Sequence, residues 1–109
     1  MAANPVTPVA GAASVVTVGG TPVIAVAAGP NGGFIQNPVS AADQGNLPAA
    51  EDLVINPVGA AASPTVAGGV NGTNFRIPPG GIWQLIPGQT TNTSVNAATG
   101  GHKFSVVVY

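Results

Sequence analysis

The sequence predicts an all-β domain, a single β-sandwich or jelly-roll-like unit over residues 14–109, preceded by an extended arm over 1–13. Three observations lead there. Apolar residues alternate with period two through the last third of the chain, where Phe75 and Ile77, then Trp83 and Leu85, then Phe104, Val106 and Val108 recur at every second position. Those positions are β-branched, aromatic or otherwise bulky, which suits a pleated, half-buried surface. Sixteen glycines and eleven prolines punctuate short Val-rich runs, as turns do between many short strands. The chain is 45% hydrophobic with a formal charge of −1, the opposite of a disordered chain, which is poor in apolar residues and rich in net charge.

Residues 1–13, with Pro5 and Pro8 and no charge, read as an extended arm, because proline fixes φ and biases its predecessor toward extended geometry. Such an arm lies either on a neighbouring subunit, with Val6 and Val9 as apolar anchors, or on its own domain. Residues 14–18 form the first strand of the domain and 22–28 the second, paired as a hairpin through Gly19-Gly20. Residues 29–33 are a turn cluster, and 34–36 a short strand ending at Asn37-Pro38. Residues 39–52 hold three of the five charges and read as a solvated loop with one helical or 3₁₀ turn. A strand over 53–55 runs into Asn56-Pro57, and 59–70 is a small-residue loop with a short strand or edge at 65–67. Strands then follow over 73–77, 82–86, 93–97 and 102–109, separated by Pro78-Pro79-Gly80-Gly81, Pro87-Gly88 and Gly100-Gly101. The predicted core is Phe75, Ile77, Leu85, Phe104, Val106 and Val108. The tripeptide Asn-Pro-Val recurs at 4–6, 37–39 and 56–58; three residues are too few to mark a repeat array.

The only charged side chains are Asp43, Glu51, Asp52, Arg76 and Lys103, 5% of the chain against roughly 25% in an ordinary soluble domain. A surface so poor in charge favours association, so the chain is expected to work inside an assembly, as a homo-oligomer, with a trimer as the expected state. Two cations leave no footprint for nucleic acid or anionic lipid. No apolar run approaches the ~20 residues of a membrane helix, and no cationic stretch precedes an apolar one as in a secretory signal. With no Cys, thiolate metal sites and Cys nucleophiles are excluded.

Little in the sequence carries catalytic chemistry. His102 reads as a strand-start residue after a Gly-Gly turn, hydrogen-bonding through its ring. The rival reading, a Ser-His-Asp site with Asp43, lacks a nucleophile elbow. Glu51 and Asp52 are adjacent, so on extended backbone they point to opposite sides and do not pair as acid and base. The oxygen and imidazole ligands are too few for a metal site, and no cofactor or small-molecule substrate is expected. Trp83 reads as a core or subunit-contact residue, with a sugar-stacking platform as its alternative. Arg76 and Lys103 point away from Phe75 and Phe104 and are expected at the surface, within reach of Asp43, Glu51 or Asp52. The candidate interface residues are therefore Val6, Val9, Arg76, Trp83 and Lys103.

Across residues 19–38 and 72–109, the motifs Phe75-x-Ile77-x-Pro79-Gly80, Trp83-x-x-Ile86-Pro87-Gly88, Val95-Asn96-Ala97-Ala98 and Gly101-His102-Lys103-Phe104 make the chain resemble the small capsid decoration, or cement, proteins of tailed bacteriophages. The resemblance implies a non-enzymatic β-rich subunit on the outer surface of the virion head, clustered as trimers on the major capsid protein and stiffening the shell by interface burial. It carries over no catalytic residue. The alternatives are a tail, fibre-base or head-spike component, or a carbohydrate-binding module built on Trp83.

Overall fold

The computed structural model describes residues 7–29, 31–59, 61–62 and 72–109. These residues form ten short strands and no helix: β1 (Val9–Ala10), β2 (Val15–Val16), β3 (Val23–Val26), β4 (Gly33–Gln36), β5 (Leu53–Asn56), β6 (Phe75–Ile77), β7 (Ile82–Leu85), β8 (Thr93–Asn96), β9 (His102–Lys103) and β10 (Ser105–Val108). The first sheet runs β1-β10-β4-β7 and the second β3-β8-β5-β6, while β2 and β9 form a two-stranded bridge. Every pairing is antiparallel.

The alternation read in the sequence decides which side chains meet. Ile35, Leu85 and Val106 of the first sheet and Ala25, Val26, Leu53, Ile55, Ile77 and Val95 of the second share one buried cluster, closed by Val16 and Phe104. The architecture is thus all-β and sandwich-like, with one core between two sheets. Each fully buried aliphatic side chain of this kind contributes roughly 1.5–3 kcal/mol.

Strand positions follow the sequence reading closely, but pairings depart from it. Segments 14–18 and 22–28 are joined by a tight turn, with the Thr21 N–H donating to Val18 O at 3.0 Å, yet they do not form a hairpin. β2 pairs with β9 and β3 with β8. The turn is itself packed on the β8–β9 connection, where the Gly20 N–H donates to Ala97 O at 2.8 Å, so it acts as a corner between sheets. The single strand expected over 102–109 is likewise broken. The Phe104 N–H turns to Ser14 O at 3.0 Å, and the chain leaves the bridge for the first sheet.

Of the predicted core, Ile77, Leu85, Phe104 and Val106 are buried and Val108 packs against the cluster. Phe75 is not core: it is 42% exposed. It shares the inward side of β6 with Ile77, but β6 is an edge strand and Phe75 lies beyond the closed part of the core. The part of the arm that the structure describes packs on its own domain. Val9 pairs with Val108 and Ala10 with Val107, and the Ala12 N–H donates to Ala25 O at 2.8 Å. Gly11 permits this approach, because a Cβ there would lie 2.6 Å from Ala25 O and 2.7 Å from a Val106 methyl. Val6 and the edge expected at 65–67 lie outside the described residues.

Candidate functional site

The ionisable residues that a sequence reading would inspect for catalysis converge on an internal knot. His102, at the start of β9, is fully buried. Its Nδ1 lies 3.0 Å from Glu51 Oε1 and its Nε2 lies 2.8 Å from Asn37 Oδ1. Asn37 donates through Nδ2 to the carbonyls of Glu51 at 2.9 Å and Ile77 at 3.0 Å, so its Oδ1 is left to accept. Gln44 donates to the same Oδ1 at 3.1 Å and to Pro38 O at 2.8 Å, and accepts from the Glu51 N–H at 2.9 Å. Both ring nitrogens of His102 are thus engaged by hydrogen-bonding partners within the fold.

Burial alone pushes the Glu51 carboxyl up. Hydrogen bonds from the His102 ring and from the hydroxyl and N–H of Thr99, with the charge of His102, outweigh that and hold it below its ordinary range. The Thr99 contacts are 2.8 Å and 3.0 Å. The knot ties the end of β4, the 39–52 loop, the approach to β5 and the β8–β9 turn. The 39–52 segment is a loop with most of its residues exposed, as expected, but part of it turns inward to reach the knot. A helical turn does form there, with the Gln44 N–H donating to Ser40 O at 3.0 Å, but Gln44 and Leu47 are buried. The turn fits because Gly45 has φ of 107°, and a side chain there would overlap the Gly101 carbonyl.

Chemically the knot is satisfied within itself. Among the described residues no three His, Cys, Asp or Glu side chains gather as a metal site would require. As the adjacency of Glu51 and Asp52 implied, the second acid points elsewhere: Asp52 pairs with Arg76 Nε at 3.3 Å. That pair is at the surface, where such contacts contribute ~0–1 kcal/mol. Lys103 is exposed and has no ion pair among the described residues. Trp83 is half-buried against the core and its ring lies 4.8 Å from that of Phe75, so the two aromatics close the gap between β7 and β6. Its Nε1 is buried and has no hydrogen-bond partner among the described residues. Val9 leaves 56% of its surface exposed beside the β1 backbone ladder.

The two sheets differ in their outer faces. On the second sheet, Val54 and Asn56 of β5 and Ser94 and Asn96 of β8 point outward yet are buried. The Ala62 backbone lies over the β8 pair, donating to Ser94 Oγ at 2.9 Å and accepting from Asn96 Nδ2 at 2.9 Å, while Asn56 Nδ2 donates to Thr73 Oγ1 at 2.9 Å. On the first sheet, the registers place Ala10, Val107, Phe34 and Gln84 in one row and Ser105, Gln36 and Ile82 in the next. This face carries no charged residue. Ile82 is 57% exposed, and Ile86 just beyond it is 64% exposed. Ordinary open sheets alternate apolar inside with polar outside; here the buried part of the second sheet's outer face is largely polar, while the first sheet's outer face mixes Ala10, Val107, Phe34 and Ile82 with Gln84, Ser105 and Gln36.

The alternation that sets Trp83 and Leu85 on one side of their strand sets Ile82, Gln84 and Ile86 on the other. It missed Phe34 and Val107, which join them only through pairing across β4 and β10. It also missed Asn37 and Gln44. The available signal was the repeated Asn-Pro step: Asn37 follows β4 and Asn56 ends β5, and both are buried with their side-chain amides hydrogen-bonded within the fold. No protein-family model, curated protein or solved structure matches the chain.

Proposed function

We propose that this protein is a non-enzymatic structural subunit that docks on a larger assembly through the outer face of its first sheet. The resemblance noted above makes the outer lattice of a tailed-phage head, built by the major capsid protein, the assembly of choice, with the chain acting there as a decoration subunit in trimers. The observation that carries the reading is the uncharged outer face on which Ile82 and Ile86 are exposed beside half-buried Phe34 and Val107. Exposed apolar patches of this kind mark protein contacts. The self-satisfied His102 knot supports a structural role, because a general base needs a free lone pair directed at substrate.

The strand order supports a jelly-roll reading. With β1 and β2 counted as one interrupted strand, and β9 and β10 as another, eight strands remain. Each sheet then interleaves strands from both halves of the chain, as the doubled Greek keys of a jelly roll do.

Docking stabilises a shell because rupture must also break the decorating contacts; a specific interface of standard size buries ~1,200–2,000 Å² in total. The test is co-sedimentation with tailed-phage heads stripped of decoration protein. Wild type is expected to pellet with heads, and an Ile86→Lys/Ser105→Lys variant, altered only at exposed positions of the face, to stay in the supernatant. Equal attachment by the variant would remove this face from the mechanism, and no attachment by either protein would remove the head as partner.

A further inference from the structure

The edges of the two four-stranded sheets are not equally guarded. A free edge offers a row of unpaired N–H and C=O groups, and proteins blunt it with shortness, proline, charge or a bulge. β1 is two residues long and follows Pro8. β3 follows Pro22 and its register shifts between Ile24 and Val26. β6 carries Arg76, paired with Asp52, and runs into Pro78-Pro79. β7 has none of these devices. Ile82-Trp83-Gln84-Leu85 is four residues long, uncharged, free of proline and in unbroken register with β4.

The direction of its backbone groups follows from the neighbouring bonds. The Asn37 N–H donates to Gly81 O, while the Tyr109 N–H donates to Gly32 O, both at 3.0 Å. In an antiparallel ladder, bonded pairs alternate. Odd-numbered residues of β4 therefore bond β7 and even-numbered ones bond β10. Trp83 and Leu85 are consequently turned to β4, and the N–H and C=O of Ile82 and Gln84 point out of the edge. Among the described residues nothing bonds to them.

We infer that β7 is a self-pairing edge, and that its occupant is β7 of a second copy of this chain. About a two-fold axis at Trp83, Ile82 of each copy meets Gln84 of the other, and each meeting exchanges two backbone bonds. The match needs no complementary charge, and an uncharged edge meets its own copy without repulsion. The same rotation sets the uncharged outer faces side by side, making one eight-stranded sheet with Ile82 and Ile86 of both copies at its centre. Four residues a side fall far short of the roughly 20–30 of a standard interface. The contact is therefore weak in dilute solution and effective where copies are crowded or held on a surface. It deepens the assembly reading and rests on it only for that crowding; the following measurements use no shell, so pairing and shell attachment fail separately.

Sedimentation of the wild-type chain is expected to show two-copy association at hundreds of micromolar. Gln84→Pro removes the outward N–H while sparing the β4 ladder, and is expected to weaken association at least about tenfold. In the unsubstituted protein, the Ile82 and Gln84 amides are expected to exchange hydrogen more slowly as concentration rises, while exposed loop amides do not change. A wild-type monomer with fast-exchanging Ile82 and Gln84 at those concentrations overturns the inference, as does association that Gln84→Pro leaves intact.

Discussion

His102 Nε2 lies 2.8 Å from Asn37 Oδ1, across 65 positions of sequence. The contact joins the end of β4 to the start of β9. His102→Ala would remove one of the hydrogen bonds held by Asn37 Oδ1 and by the Glu51 carboxylate, leaving those from Gln44 and Thr99, and open a cavity as well. The expected loss is of order 2–4 kcal/mol, read as a lower urea midpoint at unchanged slope. A variant as stable as wild type would show that the knot does not hold the sheets.

Glu51 makes part of that stability pH-dependent. Its folded carboxyl is held below the ordinary value of 4.5, so the folded state favours the ionised form. The contribution is fully present above the unfolded value and is lost as pH falls through the lowered folded one. Melting temperature against pH is expected to fall more steeply below about pH 4.5 for wild type than for Glu51→Gln, which starts lower at neutral pH. Parallel curves would exclude Glu51 as the source.

Phe104 and Phe75 separate core from rim. Phe104 is 4% exposed and its truncation to Ala is expected to cost ~3–5 kcal/mol. Phe75→Ala, at an exposed edge, is expected to cost less than half as much and chiefly to alter the fluorescence of Trp83, whose ring it touches. Equal costs in urea unfolding would place Phe75 in the core after all.

Gly11 tests whether the arm belongs to its own domain. Gly11→Ala drives a methyl against Ala25 O and Val106, and is expected to destabilise by ~1–3 kcal/mol. Deleting residues 1–13 removes β1 and lays bare β10, and is expected to lower stability and promote aggregation. A truncated protein that melts and stays soluble like the full chain would release the arm for contacts elsewhere.

Strand positions were legible because their signals are local: Phe104 and Val106 alternate within one run, and Gly100-Gly101 marks its start. Partners were not. Whether segment 14–18 pairs with 22–28 or with 102–103 depends on the Gly19-Gly20 corner packing on Ala97, and no short window contains both. Phe75 had the right side of the strand but the wrong depth, because an edge is defined by the neighbour it lacks. Asn37 and Gln44 look like loop residues until the fold brings Glu51 and His102 to them.

The placement of β10 between β1 and β4 bears on how the chain is made. Synthesis delivers Val9 long before its partner Val108, so the first sheet cannot close until residues 105–108 have left the ribosome. Until then β4 and β7 form a hairpin with one side unfilled. Pairings this distant along the chain fold slowly, and the waiting strands are exposed to one another on neighbouring nascent chains. Slower translation would lengthen that interval, whereas a chaperone that shields β4 would bridge it.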